Sequence, residues 1–387
     1  MASIWLMPIW LFIKLQVVNK ELKKMEENNN ANGTKQESEI SRYDTSSRYH
    51  SLLPELLEEL NVAIMMTSYQ AGKLITLRSH NGEIDTHFLD CPRPMGLAIN
   101  NQHLTLGIWA QILDYRRDDT ISRQVSDSDI VDSYFIPRTS HVSGMINIHD
   151  IAWGEDGTLW AVNSSFSCIC KITPQFSFEP YWKPKWITEL VPEDRCHLNG
   201  MALKEGKPRY VTAFNQSDQA GHWRNIGNNS EGVLIDIHNN EVLVDGICMP
   251  HSPRYINEHV YFCESGAGIV WKLDPNTRKK TIFCKIQGFT RGMSHYGGLL
   301  FVATSKIRPS ENNIYMPIRN EFEHTECGLW VLDINSGELI TFLEFDGDIS
   351  QLYDVAIAEN CHFPEVMEWR DEVLADYFQF PSTGNVS

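Results

Sequence analysis

The sequence predicts an all-β protein, a six-bladed β-propeller whose last blade is a composite of N- and C-terminal strands. Three observations predict it. One short phrase returns six times at spacings of about 40 to 60 residues, the range of propeller blades once loop insertions are allowed. Turns and further short apolar runs follow the copies. Long helical periodicity is nearly absent, apart from "LLPELLEEL" at 52–60.

The six copies are "PMGLAI" at 94–99, "HDIAW" at 149–153, "LNGMAL" at 198–203, "PHSPRY" at 250–255, "TRGMSH" at 290–295 and "LYDVAI" at 352–357. The second strands read "LTLGIW", "LWAVNS", "RYVTAF", "VYFCES" and "LLFVAT". Third strands follow as "CICKIT", "GIVWKLD" and "GLWVLDI", and fourth strands as "KKTIFCKI" and "GELITFLEF". "LDPNTRKK" and "LDINSGEL" carry the Asp, Asn and Gly chemistry of hairpin turns. The sixth copy lacks three full strands after it. "VAIMMTSYQ", "KLITLR" and "EIDTHFL" stand before the first copy and supply them. A ring closed in this way has no open sheet edge to invite aggregation. A β-sandwich with accidental repeats is the alternative. The expected organisation is a disordered N-terminal segment at 1–45, the propeller at 46–360 and a C-terminal tail at 361–387.

Bulk properties narrow the function classes. Of 387 residues, 42% are apolar and 21% charged, which fits a soluble globular protein with a real core. The net charge of −17 speaks against nucleic acid as a partner, because phosphate binding needs a basic face. The nine cysteines are scattered and form no CxxC, so a zinc knuckle is not indicated. They read as reduced and buried, which favours the cytoplasm. Sequons at Asn32, Asn163, Asn215 and Asn228 are too short a signal to argue secretion. The apolar run Ile4–Ile13 is too short for an integral membrane span and lacks the flanks of a secretory signal. It leaves membrane association or secretion open.

Aligned on their small or acidic member, the copies give Gly96, Asp150, Gly200, Ser252, Gly292 and Asp354. Two positions later the residues are small, as crowded inner strands require, except for Arg254. One position earlier stand Met95, His149, Asn199, His251, Arg291 and Tyr353. Five of these six are polar, and packing alone does not need five different polar side chains. In a propeller the starts of the inner strands share one face with the loops joining second and third strands. The long insertions 215–231 and 306–327 fall in such loops, with "GHWR" at 221–224 a candidate lid segment.

The candidate roles divide accordingly. His149, His251 and Tyr353 are the candidate catalytic residues, with His149 or His251 moving a proton. Asp150 beside His149 points to the opposite face of a strand, so it is either an orienting carboxylate or an anchor for a neighbouring backbone N–H. Asn199, Arg254, Arg291, Lys306 and Arg308 are the candidate substrate-binding residues, and Arg93 can join them. Arginine forks on one face of so acidic a protein suit a carboxylate, phosphate or sulfate, though the same cations can be tied up in salt bridges. A divalent metal is open as a cofactor. His149, His197 and His251 form an imidazole set, and Asp150, Asn199, Glu264 and Asp354 an oxygen set for calcium. Propellers of the gluconolactonase and paraoxonase group resemble this architecture and place such oxygen ligands at their inner strands.

"SYQAGKL", "RPMGLA", "HDIAWG", "HLNGMAL", "PHSPR", "ESGAG" and "TRGMS" together resemble a family of conserved hypothetical proteins over about residues 50 to 360. The resemblance implies a propeller fold and supplies no mechanism. Two functions therefore stand: an enzyme acting on a small anionic substrate in a top-face pocket, or a binding module recognising a peptide or small molecule without chemistry. Oligomeric state is not legible.

Overall fold

The computed structural model describes residues 43–120, 130–225, 230–308, 316–370, 372–375 and 377–379. Six antiparallel sheets form a ring, so the protein is a six-bladed β-propeller. Blade 1 runs outward through Leu97–Ile99, His103–Ile108, Gln111–Asp118 and Ser133–Val142. The innermost strands of blades 2 to 5 are Ile148–Trp153, Leu198–Lys204, Pro250–Ile256 and Phe289–Tyr296. Blade 6 is the expected composite. Its innermost strand Val355–Glu359 pairs with Val62–Ser68, followed by Lys73–His80 and Glu83–Asp90.

Both ends of the described chain lace onto neighbouring blades, which the repeat pattern does not show. Ser47–Tyr49 adds an antiparallel fifth strand outside blade 5. Pro364–Val366 adds a parallel one outside blade 1, beyond the boundary expected at residue 360. The segment expected to be disordered, 1–45, lies outside the described residues except for 43–45, and the apolar run Ile4–Ile13 goes with it. Among the described residues no helix is long and apolar enough to cross a membrane.

The helix expected at 52–60 forms as Leu52–Leu60 and ends at Asn61 in the left-handed conformation. Its Leu53, Leu56 and Leu57 fill an apolar cluster with Ile64 and Met66 of blade 6 and Phe301 and Leu329 of blade 5. Similar clusters lie between other neighbouring blades, where the two apolar faces of each sheet are covered. All nine cysteines are free thiols, and all but Cys284 are buried. Asn163 and Asn215 are also buried, so neither sequon is open to glycosylation in the folded ring.

The column of small and acidic residues has a clear spatial meaning. Glycines occupy blades 1, 3 and 5, and polar residues occupy blades 2, 4 and 6. Each glycine lets the next blade approach. A Cβ on Gly96 would stand 3.2 Å from the Asp150 Cα, one on Gly200 2.9 Å from the Ser252 nitrogen, and one on Gly292 2.5 Å from the Asp354 Cα. These neighbours are backbone, so the inner strands converge only where no side chain intervenes.

The polar members then tie the blades together. Asp150 accepts the Met201 N–H of blade 3 at 3.0 Å, and Asp354 accepts the Leu97 N–H of blade 1 at 3.0 Å. Arg254 of blade 4 reaches across the axis. It donates to Asp150 at 3.0 Å, to the Met201 carbonyl at 3.2 Å and to the Met293 carbonyl at 2.8 Å, and stands 3.6 Å from Asp354. Burial, then the Asp150 charge, push the Asp354 carboxyl up to about 7 against the pull of Arg254. The folded ring therefore holds this proton more tightly than the unfolded chain, whose aspartate titrates near 3.8. Asp354's contribution to stability is full below about 3.8 and is lost as pH rises to about 7. Asp354→Asn is expected to flatten that part of the melting-temperature profile. A profile with the same slope in both proteins would rule this origin out.

Candidate functional site

A pocket of about 450 Å³ opens at the end of the ring where the inner strands begin. Met95, His149, Arg291 and Tyr353 come from the column that precedes the small residues, and all four line it. Loops joining second and third strands bring Tyr69, Phe214, Trp223, Arg224, Lys306 and Arg308. The face expected from the repeats is the face that carries the pocket.

Two side chains of the column, Asn199 and His251, do not line it. Arg93, Asn147, His197 and Met249, each two positions before the column residue of its blade, take the left-handed conformation with φ of 53°, 54°, 48° and 52°, and all four line the pocket. Asn199 is buried behind the wall, with its amide nitrogen unpaired among the described residues. His251 lies behind Arg291 and accepts a guanidinium N–H on Nε2 at 2.7 Å. Its Nδ1 faces the Met249 carbonyl at 3.0 Å and the Ser265 hydroxyl at 2.7 Å. Burial, then the Arg291 charge, hold His251 well below the usual imidazole range, so it is neutral.

Other candidates are engaged elsewhere. The Arg254 guanidinium is committed to the axial carboxylates and carbonyls. Both nitrogens of His251 have partners, and its side chain is not brought to the pocket with His149 and His197. The calcium set is not assembled either. Glu264 turns away to accept the Cys248 N–H at 3.0 Å and the Trp271 indole N–H at 2.7 Å, while Arg254 stands between Asp150 and Asp354. Among the described residues no three His, Cys, Asp or Glu side chains are grouped to hold a metal. Tyr353 is buried, its hydroxyl unpaired among the described residues and driven well above the usual phenol range by burial.

A closed belt of ring contacts runs along the wall and, in blade 4, through His251 behind it. Tyr353 meets His149 at 5.7 Å, His149 meets His197 at 4.7 Å, and His197 meets Phe214 at 4.5 Å. Phe214 meets His251 at 5.3 Å, and His251 meets Phe289 at 5.6 Å. Arg291 closes the belt, lying over Phe289 at 4.6 Å and over Tyr353 at 5.5 Å. It has no carboxylate partner among the described residues, and its Nε has no acceptor. Burial pulls it down to about 10, which leaves it charged at neutral pH.

The electrostatics are one-sided. Among the described residues no Asp or Glu lines the pocket, although the protein carries a net charge of −17. Arg93 donates to the Asn147 side chain at 3.0 Å, and Arg308 donates to Gln351 at 3.2 Å while lying over Tyr69. Lys306 completes the basic wall. His149 donates from Nδ1 to the Asn147 carbonyl at 2.8 Å, which leaves Nε2 as an acceptor. Burial, then the neighbouring His197, pull His149 down to about 3, so it too is neutral.

One pair escaped the sequence reading. His197 Nδ1 lies 2.8 Å from Asp194 Oδ1. The other Asp194 oxygen accepts the Trp223 indole N–H at 3.0 Å and an Arg224 N–H at 2.9 Å. Trp223 lies against the His197 ring at 4.0 Å. The "GHWR" segment is thus part of the wall. The signal available in the sequence was the spacing D-x-x-H at 194–197, in a loop that also precedes an inner strand.

Residues 51–367 match the family described as Domain of unknown function (DUF4915). No curated protein matches the chain in sequence. Two solved structures are similar to it in fold. One, "Crystal structure of Nidogen/Laminin Complex", is 12% identical with a TM-score of 0.49, covering 78% of this chain and 99% of that one. The other, a protein of unknown function from Bacteroides caccae, is 11% identical with a TM-score of 0.47, covering 76% of this chain and 98% of that one.

Proposed function

The chain belongs to the DUF4915 family, and we propose that its central pocket binds a small organic anion. The carrying observation is Arg291, a partly buried guanidinium whose Nε is buried and unpaired and which has no carboxylate partner among the described residues. Burying an unpaired charge is costly, and a ligand carboxylate, phosphate or sulfate would supply the missing counter-ion. Arg93, Lys306 and Arg308 add to the same field, with no acidic side chain among the described lining residues to cancel it. Met95, Phe214, Met249 and Phe289 give the ligand an apolar surface to lie on. The volume of about 450 Å³ lies in the small-molecule range.

Matched acid and amide pairs test the reading, for example benzoate against benzamide and succinate against succinamide, followed by thermal shift. An acid present at 100 times its dissociation constant stabilises the fold by roughly 2.7 kcal/mol. The matched amide is expected to give no shift. Equal shifts from an acid and its amide would overturn the proposal.

A further inference from the structure

We propose that His197, aligned by Asp194, moves a proton on the bound molecule, which makes the pocket an acid–base active site. The inference rests on the anion-binding reading and adds a chemical step to it. Its support is the geometry around Asp194. One carboxylate oxygen faces His197 Nδ1 at 2.8 Å, and the other is filled by Trp223 and Arg224. With the Nδ1 proton directed at Asp194, the lone pair of the imidazole sits on Nε2. That nitrogen makes no hydrogen bond among the described residues, and the ring forms part of the pocket wall. Phe214 and Trp223 fix the plane of the ring, at 4.5 and 4.0 Å.

The backbone adds a second observation. Asp194 and His197 both sit in the left-handed region, with φ of 50° and 48°. At His197 this is the turn that also precedes the inner strands of blades 1, 2 and 4, at Arg93, Asn147 and Met249. The two conformations bring the carboxylate and the imidazole of one short loop face to face. Burial works upward on Asp194, but its pairing with His197 outweighs it and keeps the carboxyl below its ordinary range. An ionised carboxylate on Nδ1 is what stabilises an imidazolium once Nε2 has taken a proton.

The step balances without a co-reactant. An acidic O–H or C–H of the bound anion loses its proton to His197 Nε2. The N–H bond forms as the O–H or C–H bond breaks, and the electron pair stays on the ligand, where Arg291 stabilises the added negative charge. His149 Nε2, a neutral acceptor, holds a second donor group of the ligand. Return of the proton from Nε2 restores the enzyme.

Bromoacetate is a probe of both parts of the site. The His197 Nε2 lone pair attacks its methylene carbon, an N–C bond forms, the C–Br bond breaks, and bromide leaves with the bonding pair. Burial of all the cysteines except Cys284 limits competition from thiols. At neutral pH, peptide mass spectrometry is expected to place carboxymethylation on His197. The rate is expected to be at least about 10-fold above that with neutral bromoacetamide, because the anion is held beside its nucleophile. Asp194→Asn is expected to slow the reaction about 10-fold. A His197 left unmodified, while benzoate still shifts the melting temperature, would refute the proton-transfer role and leave anion binding standing. Equal rates with bromoacetate and bromoacetamide would refute the anion reading. The comparison of the two reagents on the unaltered protein needs no variant to fold.

Discussion

Replacing Arg254 by methionine is expected to destabilise the ring by about 3–5 kcal/mol, the usual cost of removing one partner of a buried ion pair. Three things are lost together. Asp150 and Asp354 are left facing one another at the axis without the intervening guanidinium. The carbonyls of Met201 and Met293 lose their donor. The polar links that Arg254 makes from blade 4 to blades 2, 3, 5 and 6 go with it. Methionine keeps much of the volume, so the loss is electrostatic rather than a cavity effect. Denaturant unfolding at pH 7 measures it. Adding Asp150→Asn and Asp354→Asn is expected to recover most of the loss, because the amide oxygens still accept the Met201 and Leu97 N–H groups. A single variant within about 1 kcal/mol of the parent would show that the axial triad does not hold the ring together.

Arg291→Met is expected to act in opposite directions on stability and binding. The unliganded protein should become more stable, because a partly buried cation without a counter-ion is removed. The gain is reduced by the bond that His251 Nε2 loses. Affinity for the anion should fall by about 2–5 kcal/mol, or roughly 30-fold and more, as for truncating one side of a desolvated charge pair. Calorimetric titration with the best acid from the thermal-shift comparison reads the affinity, and the melting temperature without ligand reads the stability. A variant that is less stable and binds unchanged would assign Arg291 a structural role. Arg291→Lys should recover part of the affinity at most, because lysine has no planar fork.

The fold was legible because the geometry of the axis acts on single residues. Gly96, Gly200 and Gly292 are glycines because the backbone of the next blade leaves no room for a Cβ. Asp150 and Asp354 alternate with them because their carboxylates reach the freed N–H groups of blades 3 and 1. A pattern forced that locally shows in the sequence. The site was half legible. Counting back one position from the small residue finds the wall at Met95, His149, Arg291 and Tyr353, but finds residues behind it at Asn199 and His251. In blades 1 to 4 the residue two positions further back, Arg93, Asn147, His197 or Met249, is left-handed and lines the pocket. Trp223 lies in an insertion that the sequence marks, while Asp194 comes from the loop before an inner strand, where the repeat carries no signal for it. Arg254 was visible as a departure from the small-residue rule, but whether a cation faces a ligand or two buried acids depends on depth along the axis, which periodicity does not encode.

Composite blade 6 has a consequence for the order of events at the ribosome. Val62–Ser68 leaves the exit tunnel long before its inner partner Val355–Glu359 is made. At typical elongation rates of roughly 5–20 residues per second, the wait lasts some tens of seconds. Through that interval Val62–Ser68, buried along its whole length in the finished ring, presents an unpaired edge to whatever else is nearby. The growing chain is therefore most exposed to misassociation just before it closes. A nascent chain halted before residue 355 should be held by general chaperones far longer than one released at its full length.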